Sequence, residues 1–259
     1  MKIIRWFAAA FSMYSRIPMP HFELDGKDFE RAILFLPAVG AVIGTCVYFG
    51  DVFLCRFNAP VFVRTSAAVL IPVLVTGGFH LDGFLDTVDS LRSYRSREEK
   101  LAILKDPHIG SFALIEAGAA LLLMMSGFCI ILSSDAHDKG LAAAAAIFVI
   151  SRALTGITSL FMKKASDEDM LVSETLKADR ASLVVLVLWL VLSLVFTSFI
   201  SILYTLAIAA AFGIFTAVYV HRMNKELGGV VGDTAGYFVT AGQITAVCTL
   251  ALIMLVSGS

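Results

Sequence analysis

Residues 76–91 read TGGFHLDGFLDTVDSL and follow about twenty mostly apolar residues. Glycine leaves helical geometry at low cost, so Gly77 and Gly78 are expected to end or bend the apolar helix before them. If a helix then includes Asp82, Asp86 and Asp89, their i, i+4, i+7 spacing sets the three carboxylates within about 60° of one another. The stretch therefore predicts an acidic helical face at the end of a membrane segment.

The three carboxylates would repel one another, so a cation is expected beside them. Lysine and arginine are absent between residues 65 and 91, and Mg²⁺ commonly bridges carboxylates to substrate phosphates. We therefore predict Asp82, Asp86 and Asp89 as metal ligands and catalytic residues; the alternative is a solvated helix end. His80 is also a catalytic candidate. It would point away from the acidic face, as a supporting group or as a plain interfacial residue.

The composition around this stretch is that of a membrane protein. Of 259 residues, 58% are hydrophobic and 16% are charged, whereas soluble domains carry about a quarter charged residues. We predict an all-α polytopic helical bundle, residues 1–259 forming a single integral membrane domain whose surroundings are the lipid bilayer. The net charge of −1 gives no reason to expect nucleic acid. The oligomeric state is left open, a homo-oligomer included.

Seven apolar segments approach the ~20 residues that cross a bilayer. Residues 1–20 are too short and too charged to span, and predict an interfacial helix. The run 181–220 is long enough for two helices, divided near residues 197–201. The predicted spans are 32–50, 59–79, 111–133, 141–162, 182–199, 201–220 and 237–256.

Basic residues gather in the N-terminal segment and in the loops 80–110, 163–181 and 221–235. The positive-inside rule then predicts a multi-pass protein of the cell (cytoplasmic) membrane, with its N-terminus and its active site facing the cytoplasm.

Arg152 lies in the middle of a predicted span. An arginine there costs about 2.5–3.5 kcal/mol on insertion scales, so it should face the bundle interior and have a partner. One of the aspartates or a substrate phosphate would serve. Snorkelling to the surface is the weaker alternative, because the nearest helix end is about ten residues away.

Two loops add further candidates. Residues 228–236 read GGVVGDTAG, whose backbone N–H groups could cradle a phosphate and whose Asp233 could add a ligand. Residues 105–111 read KDPHIGS and place Asp106 and His108 near the same membrane face. An ordinary turn is the alternative for both loops. Together these features favour phosphoryl or diphosphate chemistry at a membrane surface.

The stretch GGFHLDGFLDTVDSL closely resembles the signature of the cobalamin synthase family, the adenosylcobinamide-GDP ribazoletransferases. Four further segments and one residue pair are similar to other family landmarks, in the same order. They are SRIPMP at 15–20, FLPAVGAVIG at 35–44, KDPHIGSFA at 105–113, the Ser-Arg pair in ISRALTGI at 150–157, and GGVVGDTAG. The chain departs from the family pattern at Ser90 and His108, where glycine and arginine are usual, and at Pro107 and Ala113.

The resemblance implies that the chain joins α-ribazole, or α-ribazole 5′-phosphate, to adenosylcobinamide-GDP and releases GMP, with Mg²⁺ as cofactor. This step completes the nucleotide loop of vitamin B12. Gly78-x3-Asp82-x3-Asp86 also fits half of the CDP-alcohol phosphotransferase motif, which suggests a wider kinship. A prenyltransferase-like enzyme and a transporter are the rival interpretations. The implied substrate-binding residues are Arg16, Asp106, Arg152, Gly229, Gly232 and Asp233.

Overall fold

The computed structural model describes residues 2–165 and 180–258, so residues 166–179 of the predicted loop 163–181 lie outside the described residues. The secondary structure is helical, with a single parallel bridge between Lys164 and Val230 in the described part. The helices are α1 Lys2–Tyr14, α2 Gly26–Ala32, α3 Leu36–Arg56, α4 Val61–Thr76, α5 Phe79–Arg92, α6 Arg97–Ile103, α7 Ser111–Ser133, α8 His137–Phe161, α9 Arg180–Ile200, α10 Ile202–Glu226 and α11 Gly232–Ser257.

The structure confirms a polytopic helical bundle. In the described ranges, six helices are long and apolar enough to cross a membrane, with Gly26–Arg56 counted as one. A seventh span exists if α4 and α5 count together, although they meet at 94°. The seven-span prediction therefore holds only with this broken span. The predicted division of 181–220 falls at Ser201, the single residue between α9 and α10.

The bend between α4 and α5 is a property of two glycines. Gly77 and Gly78 have φ angles of 67° and 86°, a left-handed conformation that other residues adopt only with strain. Gly77 also has a neighbour: a Cβ there would lie 2.4 Å from Nε of Arg16. The backbone N–H of Arg16 donates to the carbonyl of Val75 at 2.8 Å, so the segment after α1 is fixed against the bend.

Helix α8 forms the centre of the bundle and is buried along most of its length. Helix α3 approaches it closely through Gly40 and Gly44. A Cβ at these positions would lie 2.3 Å from the carbonyl oxygen of Phe148 and 2.4 Å from that of Ala145. Small residues at such crossings let membrane helices pack backbone to backbone.

Helix α1 has the two-sided character predicted for an interfacial helix. Ala8, Ala9 and Phe11 are buried against the bundle, whereas Ile3 and Ile4 are exposed. Nε of Arg5 donates to the carboxylate of Asp28 at 2.8 Å, which ties α1 to α2.

Candidate active site

The three aspartates of α5 lie on one face of the helix, as their spacing predicts. Asp82 is exposed, whereas Asp86 and Asp89 are partly buried. Phe84 and Val88, on the opposite side of α5, are buried. We call Asp82, Asp86 and Asp89 the acidic face.

The carboxylate of Asp89 is engaged by the backbone at the start of α7. It accepts hydrogen bonds from the N–H groups of Gly110 and, at 3.2 Å, of Ala113. Gly110 precedes the first residue of α7, and a Cβ there would lie 2.1 Å from a carboxylate oxygen of Asp89. Asp89 therefore acts as an N-cap for α7, supplied from another helix.

Asp82 and Asp86 differ from Asp89, because neither side chain makes a hydrogen bond or an ion pair with the described residues. In that part of the chain, no three His, Cys, Asp or Glu side chains are grouped closely enough to hold a metal ion by themselves. Two carboxylates one helical turn apart nevertheless fit Mg²⁺, which often takes only one or two carboxylates and completes its shell with water and phosphate. Asp82 and Asp86 are thus the residues that could hold Mg²⁺ together with a substrate.

The first turn of α11 packs directly on α5 beside these residues. A Cβ at Gly83 would lie 2.7 Å from the carbonyl oxygen of Asp233. A Cβ at Gly236 would lie 2.8 Å from the carbonyl oxygen of His80. The two glycines bring the N-terminus of α11, where backbone N–H groups carry partial positive charge, next to the helix of the acidic face.

Arg152 faces the bundle interior, as predicted, with only 1% of its surface exposed. Its Nη1 donates to the carbonyl of Phe148 at 3.1 Å, and its Nε has no hydrogen-bond partner. Among the described residues, no aspartate forms a hydrogen bond or an ion pair with Arg152. Of the two partners considered for Arg152, the aspartate is not found in this part of the chain, and the substrate phosphate stays a prediction. The Nε donor has no partner among the described residues.

His80 lies on the side of α5 away from the acidic face, near the guanidinium of Arg152. Its Nδ1 is buried without a hydrogen-bond partner, and its ring stacks near Tyr14 with centroids 6.2 Å apart. A small cavity of about 60 Å³ opens beside it, lined also by Ser159 and Gly232. We call His80 and this cavity the buried polar pocket; Arg152 is near His80 but does not line the cavity. The structure thus separates His80 from the aspartates, while placing it on the same helix.

The glycine loop divides into two parts with different roles. The N–H of Gly229 donates to the carbonyl of Met223 at 3.2 Å and so terminates α10. A Cβ at Gly229 would lie 2.1 Å from the carbonyl oxygen of Lys163, so this residue is needed for a close backbone approach. Gly232 lines the buried polar pocket, and Asp233 contacts α5. The phosphate cradle predicted for this loop stays a prediction, with the first turn of α11 as its candidate position.

Asp106 organises its own loop. Its carboxylate accepts the backbone N–H of His108 at 3.0 Å and lies 2.6 Å from Nδ1 of that residue. The backbone hydrogen bond from His108, together with its side chain, lowers the pKa of Asp106.

Ser90, where the family usually has glycine, has a structural role. Its Oγ donates to the carbonyl of Lys100 at 2.9 Å and holds α6 against α5.

Sequence reasoning missed two polar residues of α11. Nε2 of Gln243 donates to Oγ of Ser151 at 2.9 Å, beside Arg152, and Oγ1 of Thr240 donates to the carbonyl of His80 at 3.1 Å. A glutamine within an apolar span was the available signal, since polar groups there usually bond across helices.

Fold and site together define a multi-pass helical membrane protein. It has an acidic face and a glycine-bounded helix start near one end of its bundle, and an arginine buried within a span. The comparisons with known proteins make this specific. The family model described as cobalamin-5-phosphate synthase matches residues 6–251. The chain belongs to this family, which confirms the assignment suggested by the sequence motifs.

Curated relatives agree over nearly the whole length. A protein of Lachnoclostridium phytofermentans named adenosylcobinamide-GDP ribazoletransferase is 34% identical, over 95% of this chain and 93% of its own. One of Clostridium perfringens with the same name is 30% identical, over 93% of this chain and 95% of its own. One of Shewanella frigidimarina, also of that name, is 28% identical over 99% and 96%. No solved structure matches the chain.

Proposed function

We propose that this protein is a ribazoletransferase that joins α-ribazole, or its 5′-phosphate, to adenosylcobinamide-GDP and releases GMP. Family membership and the names of the relatives support the reaction. One observation supports the assignment of the Mg²⁺ ligands. The carboxylates of Asp82 and Asp86 have no cationic partner among the described residues, and their helix packs against the N-terminus of α11.

Asp82 and Asp86 are the ligands we assign to Mg²⁺. When bound there, Mg²⁺ supplies positive charge that neutralises a diphosphate and stabilises a departing phosphate. The two side chains project from the same face one turn apart, so they can hold such an ion without rearrangement of α5. Asp89 contributes differently, by fixing α5 to the start of α7.

The transfer then needs a nucleophile, a proton acceptor and a leaving group. A hydroxyl oxygen of the ribazole forms a bond to the phosphorus nearest the corrinoid linker, and the bond from that phosphorus to the GMP oxygen breaks. The hydroxyl proton passes to Asp86, whose carboxylate makes no hydrogen bond in the described part of the chain. GMP leaves with the bonding electron pair. Positioning and charge stabilisation supply most of the acceleration in such transfers.

Positive groups near α5 are candidates for holding the phosphates during this step. Two of them are the Nε donor of Arg152, which has no partner among the described residues, and the partial positive charge at the start of α11. Arg16, fixed against the bend between α4 and α5, is a third candidate at the exposed side.

We place the protein in the cell membrane with this site facing the cytoplasm. Loop charge supports the orientation, because the connections at the site end carry most of the basic residues. The connections at the other end are short: residues 57–60, residues 134–136 and Ser201.

Purified protein in lipid vesicles tests the reaction directly. GMP should appear only when adenosylcobinamide-GDP and ribazole are both present with Mg²⁺, and a chelator should stop its release. A prenyltransferase-like enzyme would instead release diphosphate from a prenyl donor, and a transporter would move a solute without forming GMP. Absence of GMP with both precursors and Mg²⁺ would overturn the proposal.

A further inference from the structure

A groove lies between α5, α7, α10 and α11, on the side of α5 that faces away from the acidic face. Its volume is about 240 Å³. Phe84 and Val88 line it from α5, roughly opposite Asp82 and Asp86 around the helix. This groove plays no part in the chemistry assigned above.

One end of the groove is charged. Arg92 forms an ion pair with Glu116, and Arg222 and Tyr237 line the same groove. Arg92, Glu116 and Arg222 all line the groove with Tyr237, so the three charges lie near that phenol. Two guanidinium groups and one carboxylate leave a net charge of +1, and the five N–H donors of each arginine are not exhausted by these contacts.

The other end of the groove is apolar. Residues 116–123 of α7 rise about 10 Å along the helix, from the charged end towards Leu123, and Ile244 of α11 lines the same end. Ala119 and Leu123 line the groove and are themselves exposed. The groove is therefore open on the surface of α7, whose remaining exposed residues are also mostly apolar and suited to contact lipid tails.

We propose that this groove binds one anionic phospholipid, with its phosphate between Arg92 and Arg222 and one acyl chain along α7 and α11. An amphipathic groove with a cationic end at the edge of an apolar surface matches the shape and charge of a phospholipid. The net charge of +1 favours a head group that brings no cation of its own, because the single phosphate charge then neutralises the site. A zwitterionic lipid would add an ammonium beside two guanidinium groups.

The bound lipid would support α5 from behind. Its acyl chain would pack on Phe84 and Val88, the residues opposite the acidic face, and would fill space that the protein leaves open. The lipid is thus a structural ligand whose binding can be measured without the enzymatic reaction.

Thermal unfolding and native mass spectrometry of the purified protein test the site. Phosphatidylglycerol and phosphatidylcholine are added at equal mole fraction to delipidated protein in detergent. Phosphatidylglycerol should raise the unfolding midpoint by several degrees more than phosphatidylcholine does. In the mass spectra, one copy of phosphatidylglycerol should stay bound to the protein. Millimolar inorganic phosphate, added alone, should reproduce neither effect.

Two matched pairs of variants locate the site. Arg222→Gln should weaken phosphatidylglycerol binding by about fivefold, the effect of one basic residue near a membrane surface. Lys225→Gln, which removes a positive charge from the same helix end outside the groove, should not. Ala119→Trp should block the groove, whereas Ile115→Trp, exposed on α7 but outside the groove, should leave binding intact.

Equal stabilisation by the two lipids, or equal loss from both members of a pair, would overturn the proposal. Stabilisation by inorganic phosphate alone would show an anion site without a lipid and would also overturn it. These outcomes are independent of GMP release, so failure of the lipid site and failure of the proposed reaction are distinguishable.

Discussion

The carboxylate of Asp89 accepts the backbone N–H of Gly110, across 21 residues of sequence, and so joins the end of α5 to the start of α7. Both of its oxygens are occupied, because the second accepts the N–H of Ala113. The acidic face therefore contains two kinds of aspartate: a cap that holds the site together, and two carboxylates available to a cation.

Substitutions by asparagine should separate these roles. Asp89→Asn removes the charge from the N-terminus of α7 and weakens the cap, which should lower the free energy of unfolding by about 1 kcal/mol. Asp82→Asn and Asp86→Asn relieve like-charge repulsion, so their unfolding midpoints should stay the same or rise. Their GMP release should fall by at least about 100-fold, the scale of several kcal/mol of lost charge stabilisation, and should recover in part at high Mg²⁺.

Asp135→Asn is the control, because Asp135 is exposed between α7 and α8 at the other end of the bundle. It should change neither property. If Asp89→Asn lost activity as severely as Asp86→Asn at an unchanged unfolding midpoint, Asp89 would be a ligand and not a cap. Near-normal rates for Asp82→Asn and Asp86→Asn at limiting Mg²⁺ would reduce the acidic face to a solvated helix end.

The two glycines at the bend should respond differently to alanine. Both have positive φ angles, so each alanine should cost about 1–2 kcal/mol of unfolding free energy. Only Gly77→Ala meets another side chain, that of Arg16, whereas a Cβ at Gly78 has nothing within 4 Å. GMP release per folded molecule should therefore fall in Gly77→Ala and change little in Gly78→Ala.

A double-mutant cycle isolates the contact. Arg16→Ala should cost less activity in the Gly77→Ala background than in the wild type, because the alanine has already displaced the guanidinium. Combined with Gly78→Ala, the effect of Arg16→Ala should be additive. Equal coupling in both cycles would mean that Arg16 responds to the bend as a whole.

Much of the fold could be predicted from the sequence because apolar length determines where a helix can span. The span predicted at 111–133 is α7, Ser111–Ser133, and the break predicted within 181–220 is at Ser201. The 94° angle between α4 and α5 could not be predicted. Two adjacent glycines permit a break, but its direction depends on the packing of α5 against α11. Helix α11 begins at Gly232, whereas the span was predicted to begin at residue 237. The earlier start comes from a cap, because Oγ1 of Thr234 accepts the N–H of Val231.

The site was predictable where it depended on spacing within one helix. The common face of Asp82, Asp86 and Asp89 follows from helical periodicity, and the burial of Arg152 follows from its place in a span. The cap formed by Asp89 is a contact between distant residues and leaves no local signal. The sequence also could not predict that Arg152 has no carboxylate partner among the described residues, because this depends on which helices surround α8.

Cysteine labelling in sealed cells tests the orientation proposed for the membrane. Arg95, between α5 and α6, and Asp138, in the first turn of α8, are both exposed and lie at opposite ends of the bundle, and each is replaced by cysteine. In a background whose four native cysteines are replaced by serine or alanine, an impermeant reagent added outside should label residue 138 and not residue 95. Labelling of residue 95 alone would invert the topology, and equal labelling of both in intact cells would refute it.

Two buried arginines should behave in opposite ways when each is replaced by methionine. Nε and Nη2 of Arg64 each donate to a separate carboxylate oxygen of Asp51, both at 2.7 Å, and the two residues are 9% and 4% exposed. Arg64→Met leaves the carboxylate of Asp51 buried without its counter-ion, which should cost about 3–5 kcal/mol of unfolding free energy. Enzymatic activity per folded molecule should change little, because this pair joins α3 and α4 away from the site.

Arg152→Met should instead leave the unfolding midpoint unchanged or raise it. The guanidinium of Arg152 is buried beside His80 without a carboxylate among the described residues, so an apolar side chain of similar length removes a desolvation cost. GMP release should fall by at least about 100-fold, because the Nε donor that we assign to a substrate phosphate is lost. Arg152→Lys should recover little, since an ammonium lacks the planar fork of donors.

Thermal unfolding and GMP release, measured on both methionine variants, show whether Arg152 has a structural or a functional role. A drop in midpoint for Arg152→Met as large as that for Arg64→Met would make Arg152 a structural residue, and full activity of Arg152→Lys would leave it as a generic positive charge.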